Sequence, residues 1–191
     1  AHYPVEFMAA LLTTESGSTD NVVKYIHEAR THGIEVLPPD INISMRRFTV
    51  DYDVDEKTKQ RRKHRHTAYG KIRFGLGAIK GLGDAALEAI LDTRDKDGKF
   101  DDLYAFCERM VHAKINRKIV EVLTKSGSFD SFQKGRSQLH ATIERAIDRA
   151  QSARKDMLSG QTNMFGIFTE TDADQSQDQV YADVPDWSEK E

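Results

Sequence analysis

GAIKGLGDAALEAI, residues 77–90, carries the pattern from which the rest of the chain is best read. An apolar residue, Ile79, precedes Lys80-Gly81-Leu82-Gly83, and a helix rich in small residues is expected from about Asp84. Two glycines, lacking Cβ atoms, let a backbone turn sharply and let a partner come close. Leu82 between them is expected to point inward and anchor the turn. A helix opening at Asp84 would present unpaired N–H groups and the positive end of its dipole. Together these features predict an anion site suited to a nucleic-acid phosphate, with Lys80 adding charge. Contact of this kind touches backbone and not base edges, so the binding expected is independent of sequence. An ordinary helical turn closed by a glycine is the bland alternative, and Gly-x-Gly alone does not separate the two.

Outward from this stretch the chain is mainly helical. Pro4 stands where a helix can start, followed by an apolar stripe of Val5, Phe7, Met8, Leu11 and Leu12. Thr19 is a candidate N-cap for a helix through Val22, Val23, Ile26 and Ala29 that Gly33 closes. In IEVLPP (34–39), Pro38 and Pro39 forbid a helix and predict an extended exit. RFTVDY (47–52) and KIRFGL (71–76) alternate and are rich in strand formers, which predicts a two-stranded hairpin with a long basic tip. Downstream, Leu103 and Phe106 mark one helix, and Ile115, Ile119, Val122 and Leu123 another, closed by Gly127. Lys114, Arg117 and Lys118 would supply charge to a second helix-turn-helix pair, although a solvated helix face explains them equally well. A long helix is expected from about Ser137 to Met157, with Leu139, Ile143, Ile147, Ala150 and Ala153 on one side. The fold class predicted is therefore mainly α with a small β-hairpin and a tandem helix-hairpin-helix module.

Composition narrows the function classes. The chain has 191 residues, 38% hydrophobic and 31% charged, which suits one or two small globular units. No apolar run approaches the roughly 20 residues of a membrane span, and the first residues lack the order of a signal peptide. A single cysteine, Cys107, allows no internal disulfide and fits a reducing, cytoplasmic setting. The first residue is not Met and the opening reads as mid-domain, so we read the chain as a piece of something longer. The net charge of −3 hides two opposed blocks: eight Lys/Arg and no acid from Lys57 to Arg73, and eight acids with one base from Thr169 to Glu191. Such blocks predict a basic arm near an anionic partner and an acidic, flexible tail, or else two solvated segments.

A second motif lies beyond the long helix. In GQTNMFG (160–166) a glutamine precedes an adjacent Met and Phe within an otherwise polar stretch. Exposed together, such side chains cost solubility unless something buries them, each contributing about 1.5–3 kcal/mol on full burial. Gln161 can orient an extended peptide through its amide while Met164 and Phe165 fill a foreign apolar pocket. Equally, Met164, Phe165, Ile167 and Phe168 can tuck onto this chain's own helices.

The two motifs in this order resemble the alpha subunits of bacterial DNA polymerase III, the class C replicative polymerases. The resemblance runs collinearly through YPVEFMAALLT (3–13), GIEVLPPDIN (33–42), IRFGLGAIKGLGDAALEAI (72–90), INRKIVEVLTKSGSFD (115–130) and QTNMFG (161–166). It implies the end of a fingers domain over 1–45, a β-hairpin with basic loop over 46–76, and the tandem helix-hairpin-helix over 77–130. A long helix over 131–160 and a clamp-binding peptide with acidic linker over 161–191 complete the order. By this resemblance Lys80, Gly81, Leu82 and Gly83 contact duplex DNA, and the cations Lys114, Arg117 and Lys118 of the second pair are expected to add to that contact. Gln161, Met164 and Phe165 bind the sliding clamp. Other expected partners are the polymerase's remaining domains and the other holoenzyme subunits, with no membrane. The family's catalytic aspartates and their Mg belong to a palm domain outside this stretch, so no catalytic residue, metal or cofactor is expected within it. Asp51, Asp53 and Asp55 beside the basic loop read as charge partners, and His64 and His66 lack the companions of a zinc site.

Three other readings compete. A helix-hairpin-helix glycosylase would need an aromatic pocket for a flipped base, which is lacking here. A clamp-binding adaptor would keep the hairpin only as structure. An error-prone paralogue of the same polymerase differs least, and the intact QTNMF favours the replicative form.

Overall fold

The computed structural model describes residues 3–52, 70–113, 115–160 and 180–187. Among these residues six α-helices and three short strands follow one another: α1 (Pro4–Thr14), α2 (Thr19–Thr31), β1 (Val36–Leu37), β2 (Thr49–Asp51), β3 (Lys71–Arg73), α3 (Asp84–Asp97), α4 (Leu103–Met110), α5 (Arg117–Lys125) and α6 (Arg136–Gly160). The mainly helical expectation holds. Among the described residues no helix is long and apolar enough to cross a membrane.

Two hydrophobic clusters organise these elements. The first joins α1, α2 and the sheet through Val5, Met8, Leu12, Ala29, Phe48 and Ile72. On α1 the buried positions are 5, 8, 9 and 12, the spacing of one helical face. Phe7 falls off that face and is 62% exposed, as is Val23 on α2, so neither belongs to the core expected from the apolar stripes. The N-cap of α2 is Ser18 and not Thr19: Ser18 is extended, and its hydroxyl accepts from the Asn21 amide at 3.4 Å.

The predicted hairpin pairs as expected, β2 antiparallel to β3 with Val50 opposite Ile72. A third strand, within the extended exit over 34–39, completes the sheet. Val36–Leu37 runs parallel to β3 on its other side, giving the order β1-β3-β2. This central position leaves Ile72 with no exposed surface.

The second, larger cluster gathers α3 to α6 around Leu87, Ile90, Phe100, Tyr104, Phe106, Phe129 and Ile143. Rings meet edge-on between Phe100 and Phe106 and between Phe106 and Phe129, with centroids 5.0 Å apart in each pair. Ile115 precedes α5 instead of belonging to it, because Asn116 caps that helix by accepting from the Ile119 amide at 3.0 Å. On α6 the inward face is Leu139, Ile143, Ala146 and Ala150, while Ala153 lies in solvent.

Residues 180–187, expected to belong to an acidic flexible tail, instead lie along α4 and α6. The Val180 carbonyl accepts from the Tyr104 hydroxyl at 2.8 Å and from Arg145 at 3.2 Å. The Ala182 amide donates to Thr142, and the Ser137 hydroxyl donates to the Asp186 carboxylate. Tyr181 sets its ring edge-on to Tyr104, and Trp187 does so to His140, each with centroids 5.5 Å apart. A strap thus runs back antiparallel to α6.

Candidate nucleic-acid interface

The turn at 80–83 opens outward. Its first arm is a single 3-10 turn, Leu76–Ala78, and its second is α3. Leu82 and Ile79 are buried and pin the turn to the larger cluster, with the Leu82 amide donating to the Ile79 carbonyl at 3.1 Å. Lys80, Gly81, Gly83, Asp84 and Ala85 are exposed. Gly81 takes φ +94°, a conformation that side-chain-bearing residues rarely adopt, so the turn itself requires this glycine.

Gly83 is different. It adopts an ordinary extended conformation (φ −71°, ψ 156°) at the N-cap of α3, and a Cβ there would meet nothing within 4 Å. Neither backbone strain nor crowding demands a glycine. The position also lacks the side-chain oxygen that usually closes a helix start. Among the described residues, the amides of Gly81, Gly83, Asp84 and Ala85 donate to no acceptor. Several N–H groups and the positive end of a four-turn helix therefore face solvent together.

The neighbouring helix contributes cations to the same side. A Cβ on Gly81 would lie 3.3 Å from Val122 of α5. Lys118 is four residues before Val122 and Lys125 three after, so both share its helix face, and both are exposed. Arg117 lies on another face. Its guanidinium donates to Glu121 at 2.7 Å and to Glu144 at 3.3 Å, and these carboxylates raise its pKa further. Glu121 is correspondingly held below the usual carboxylate range, first by its hydrogen bond from Arg117.

The second glycine turn is closed. Gly127 also has positive φ (+82°), but it is buried, and the Arg136 guanidinium, locked to Asp130 at 2.6 Å, fills the space beside it. Its amide donates to Thr124, and the Ser128 carbonyl accepts from the Ile41 amide at 2.8 Å. The two glycine turns of the tandem module thus have different surroundings, and the first has the exposed donors.

Two arginines that the sequence reading did not single out stand beside the open turn. Arg46 reaches Asp84 at 2.5 Å and Glu88 at 3.1 Å, while Arg47 is exposed and has no ion-pair partner among the described residues. Their loop is pressed onto the first arm by backbone bonds from Leu76 to Met45 (2.9 Å) and from Gly77 to Arg46 (2.9 Å). Gly75 and Gly77 permit this approach: a Cβ at either would fall within 2.5 to 2.8 Å of the backbone of Arg46 or Arg47. The buried guanidinium of Arg94 holds the same loop by donating to the carbonyls of Ile41 (3.1 Å) and Ser44 (2.7 Å). Only the Gly-x-Gly at 75–77 gave a sequence signal for this contact, since Met45 and Arg46 meet Leu76 and Gly77 31 positions further on.

Lys114, Gln161, Met164 and Phe165 lie outside the described residues, as do the basic loop 57–66, Asp53, Asp55, His64 and His66. Asp51 is a charge partner, 3.0 Å from Arg73. Among the described residues no three His, Cys, Asp or Glu side chains gather where a metal ion could sit.

Comparison with known proteins agrees with this geometry. A family model described as a helix-hairpin-helix motif matches residues 33–139. The chain is 38% identical over 189 residues, 99% of its length, to DNA polymerase III subunit alpha of Vibrio cholerae. Identity is 40% over a 195-residue alignment with the protein of that name from Neisseria meningitidis serogroup B, and 36% over 190 residues with that of Escherichia coli K12. In each case the match spans 15% of the relative's length.

Proposed function

Because this chain belongs to the helix-hairpin-helix family, we propose that its open turn, Lys80 to Gly83, holds the sugar–phosphate backbone of duplex DNA without regard to sequence. The observation that carries this reading is Gly83. The fold has no use for a glycine there, whereas a phosphate approaching the bare amides of Gly83, Asp84 and Ala85 needs the space a side chain would take. Lys80 and Lys118 are exposed cations beside that approach, and Leu82 contributes by anchoring the turn. Lys114 is assigned to the same face by its place in the sequence alone, four residues before Lys118. Arg117, committed to two carboxylates, acts more weakly.

The similarity to a 15% stretch of polymerase alpha subunits supports a setting within a DNA-directed DNA polymerase. In that setting the turn grips product duplex, and the peptide carrying Gln161, Met164 and Phe165 tethers the enzyme to its sliding clamp. Linking two weak attachments makes the second effectively intramolecular and multiplies avidity by about 10²–10⁴. Processive replication is the outcome.

The test replaces Gly83 by Thr. Its hydroxyl can cap α3, so stability should hold or rise by a few tenths of a kcal/mol. Duplex affinity at matched salt should fall alike for unrelated sequences; unchanged affinity would remove the proposal. For the tether, Met164→Ala combined with Phe165→Ala should abolish binding to the clamp and leave duplex affinity intact.

A further inference from the structure

We infer that the loop bearing Arg46 and Arg47 is a second arm of the duplex-binding face, with Arg46 cancelling the carboxylates beside the turn and Arg47 taking a neighbouring phosphate. The inference rests on the duplex reading above and adds residues to it.

Within residues 77–90 the only cation is Lys80, against Asp84 and Glu88. Taken alone, the hairpin therefore shows a polyanion one more negative than positive charge, which opposes the attraction of the bare amides. Asp84, 86% exposed on its side chain, stands at the first position of α3, where a phosphate would arrive. Arg46 answers both carboxylates at once, at 2.5 and 3.1 Å. Ion pairs this exposed add little to stability, so folding does not explain the arrangement. With Arg46 and Arg47 counted, the balance turns to one more positive charge.

The placement is built in. Gly75 and Gly77 admit the loop backbone to distances that a Cβ would forbid, two backbone hydrogen bonds fasten it, and Arg94 grips it from behind. A cleft of about 420 Å³ results, lined by Thr13, Thr14, Ser16, Arg46, Arg47 and Asp84. It continues the exposed turn toward the end of α1. Arg47 lines this cleft with no ion-pair partner among the described residues, which suits a phosphate ligand.

The experiment uses the whole chain, a blunt DNA duplex of arbitrary sequence, and a melting measurement to confirm folding. Arg46→Ala should weaken duplex binding several-fold, and adding Asp84→Asn should restore most of the loss. Arg47→Ala should weaken binding and reduce the slope of log affinity against log salt by about one. Asp84→Asn alone, a change at an exposed side chain, should raise affinity because it frees Arg46. Failure of Asp84→Asn to raise affinity, or an Arg46→Ala protein that binds as the parent does, overturns the inference. Normal sensitivity to Gly83→Thr in the same assay would leave the hairpin reading standing. Loss of that sensitivity would sink the hairpin reading instead.

Discussion

Arg94 shows what a single buried guanidinium does in this fold. Only 8% exposed, it donates to two carbonyls some 50 residues away and keeps the Arg46 loop against the hairpin. Its removal leaves two buried acceptors unsatisfied, so Arg94→Ala should destabilise the protein by about 3 kcal/mol in urea unfolding. Arg94→Lys should recover only part of this, since an ammonium can meet the two carbonyls that Nη1 serves but has no second nitrogen to reach the Met45 sulfur, as Nη2 does at 3.4 Å. In the sequence Arg94 passes for one more charge in DTRDKD, yet it follows Leu87 and Ile90 at seven and four residues, on the buried face of α3. That spacing was the available signal. Gly81, Leu82 and Gly83 were legible because their meaning is local. Arg46 and Arg47 were not, because their role depends on a contact made by the folded chain.

At the scale of elements, helices announced themselves through periodicity, and all six lie within a few residues of their expected positions. The two-residue strand β1 and the strap 180–187 did not: each is too short or too irregular to carry a period, and the strap's acids disguised its aromatic anchors. Tyr181 gives the strap a pH signature. Burial, reinforced by the Asp102 carboxylate, pushes its phenol up to about 12, from 10.0 in an exposed tyrosine. Burial likewise raises Tyr104. A pKa higher in the folded than in the released state means the strap's contribution is whole below pH 10 and disappears as pH climbs toward 12. A tyrosinate absorbance titration should therefore lose one late-ionising phenol in Tyr181→Phe. Emission from Trp187, the sole tryptophan, should shift red in the parent over that same alkaline range.

For the molecule as a whole, the two hydrophobic clusters share one partly buried ring, Phe74, which packs on both and meets Phe48 at 4.8 Å. Composition spoke of one or two small units, and neither the number of cores nor the residue joining them could be read from it. Phe74→Ala should cost about 2 kcal/mol. It should also turn a single urea transition into two: circular dichroism, which sums the helices of both clusters, would show two steps, and Trp187 emission, which reports the α6 side, would follow only one of them. Coincident midpoints in the variant would show that the two clusters melt together without that ring.

The return of residues 180–187 along α6 has a mechanical meaning. Val180 is fastened beside Arg145, fifteen positions before Gly160, so the nineteen residues between leave and rejoin one helix at points roughly 22 Å apart. Whatever seizes that stretch pulls on two footholds of a single rod, one covalent and one made of rings and hydrogen bonds. Two footholds restrict the angle of a pull as well as its length. The line that joins the two footholds is the axis of α6, so a load on either is shared along that one helix.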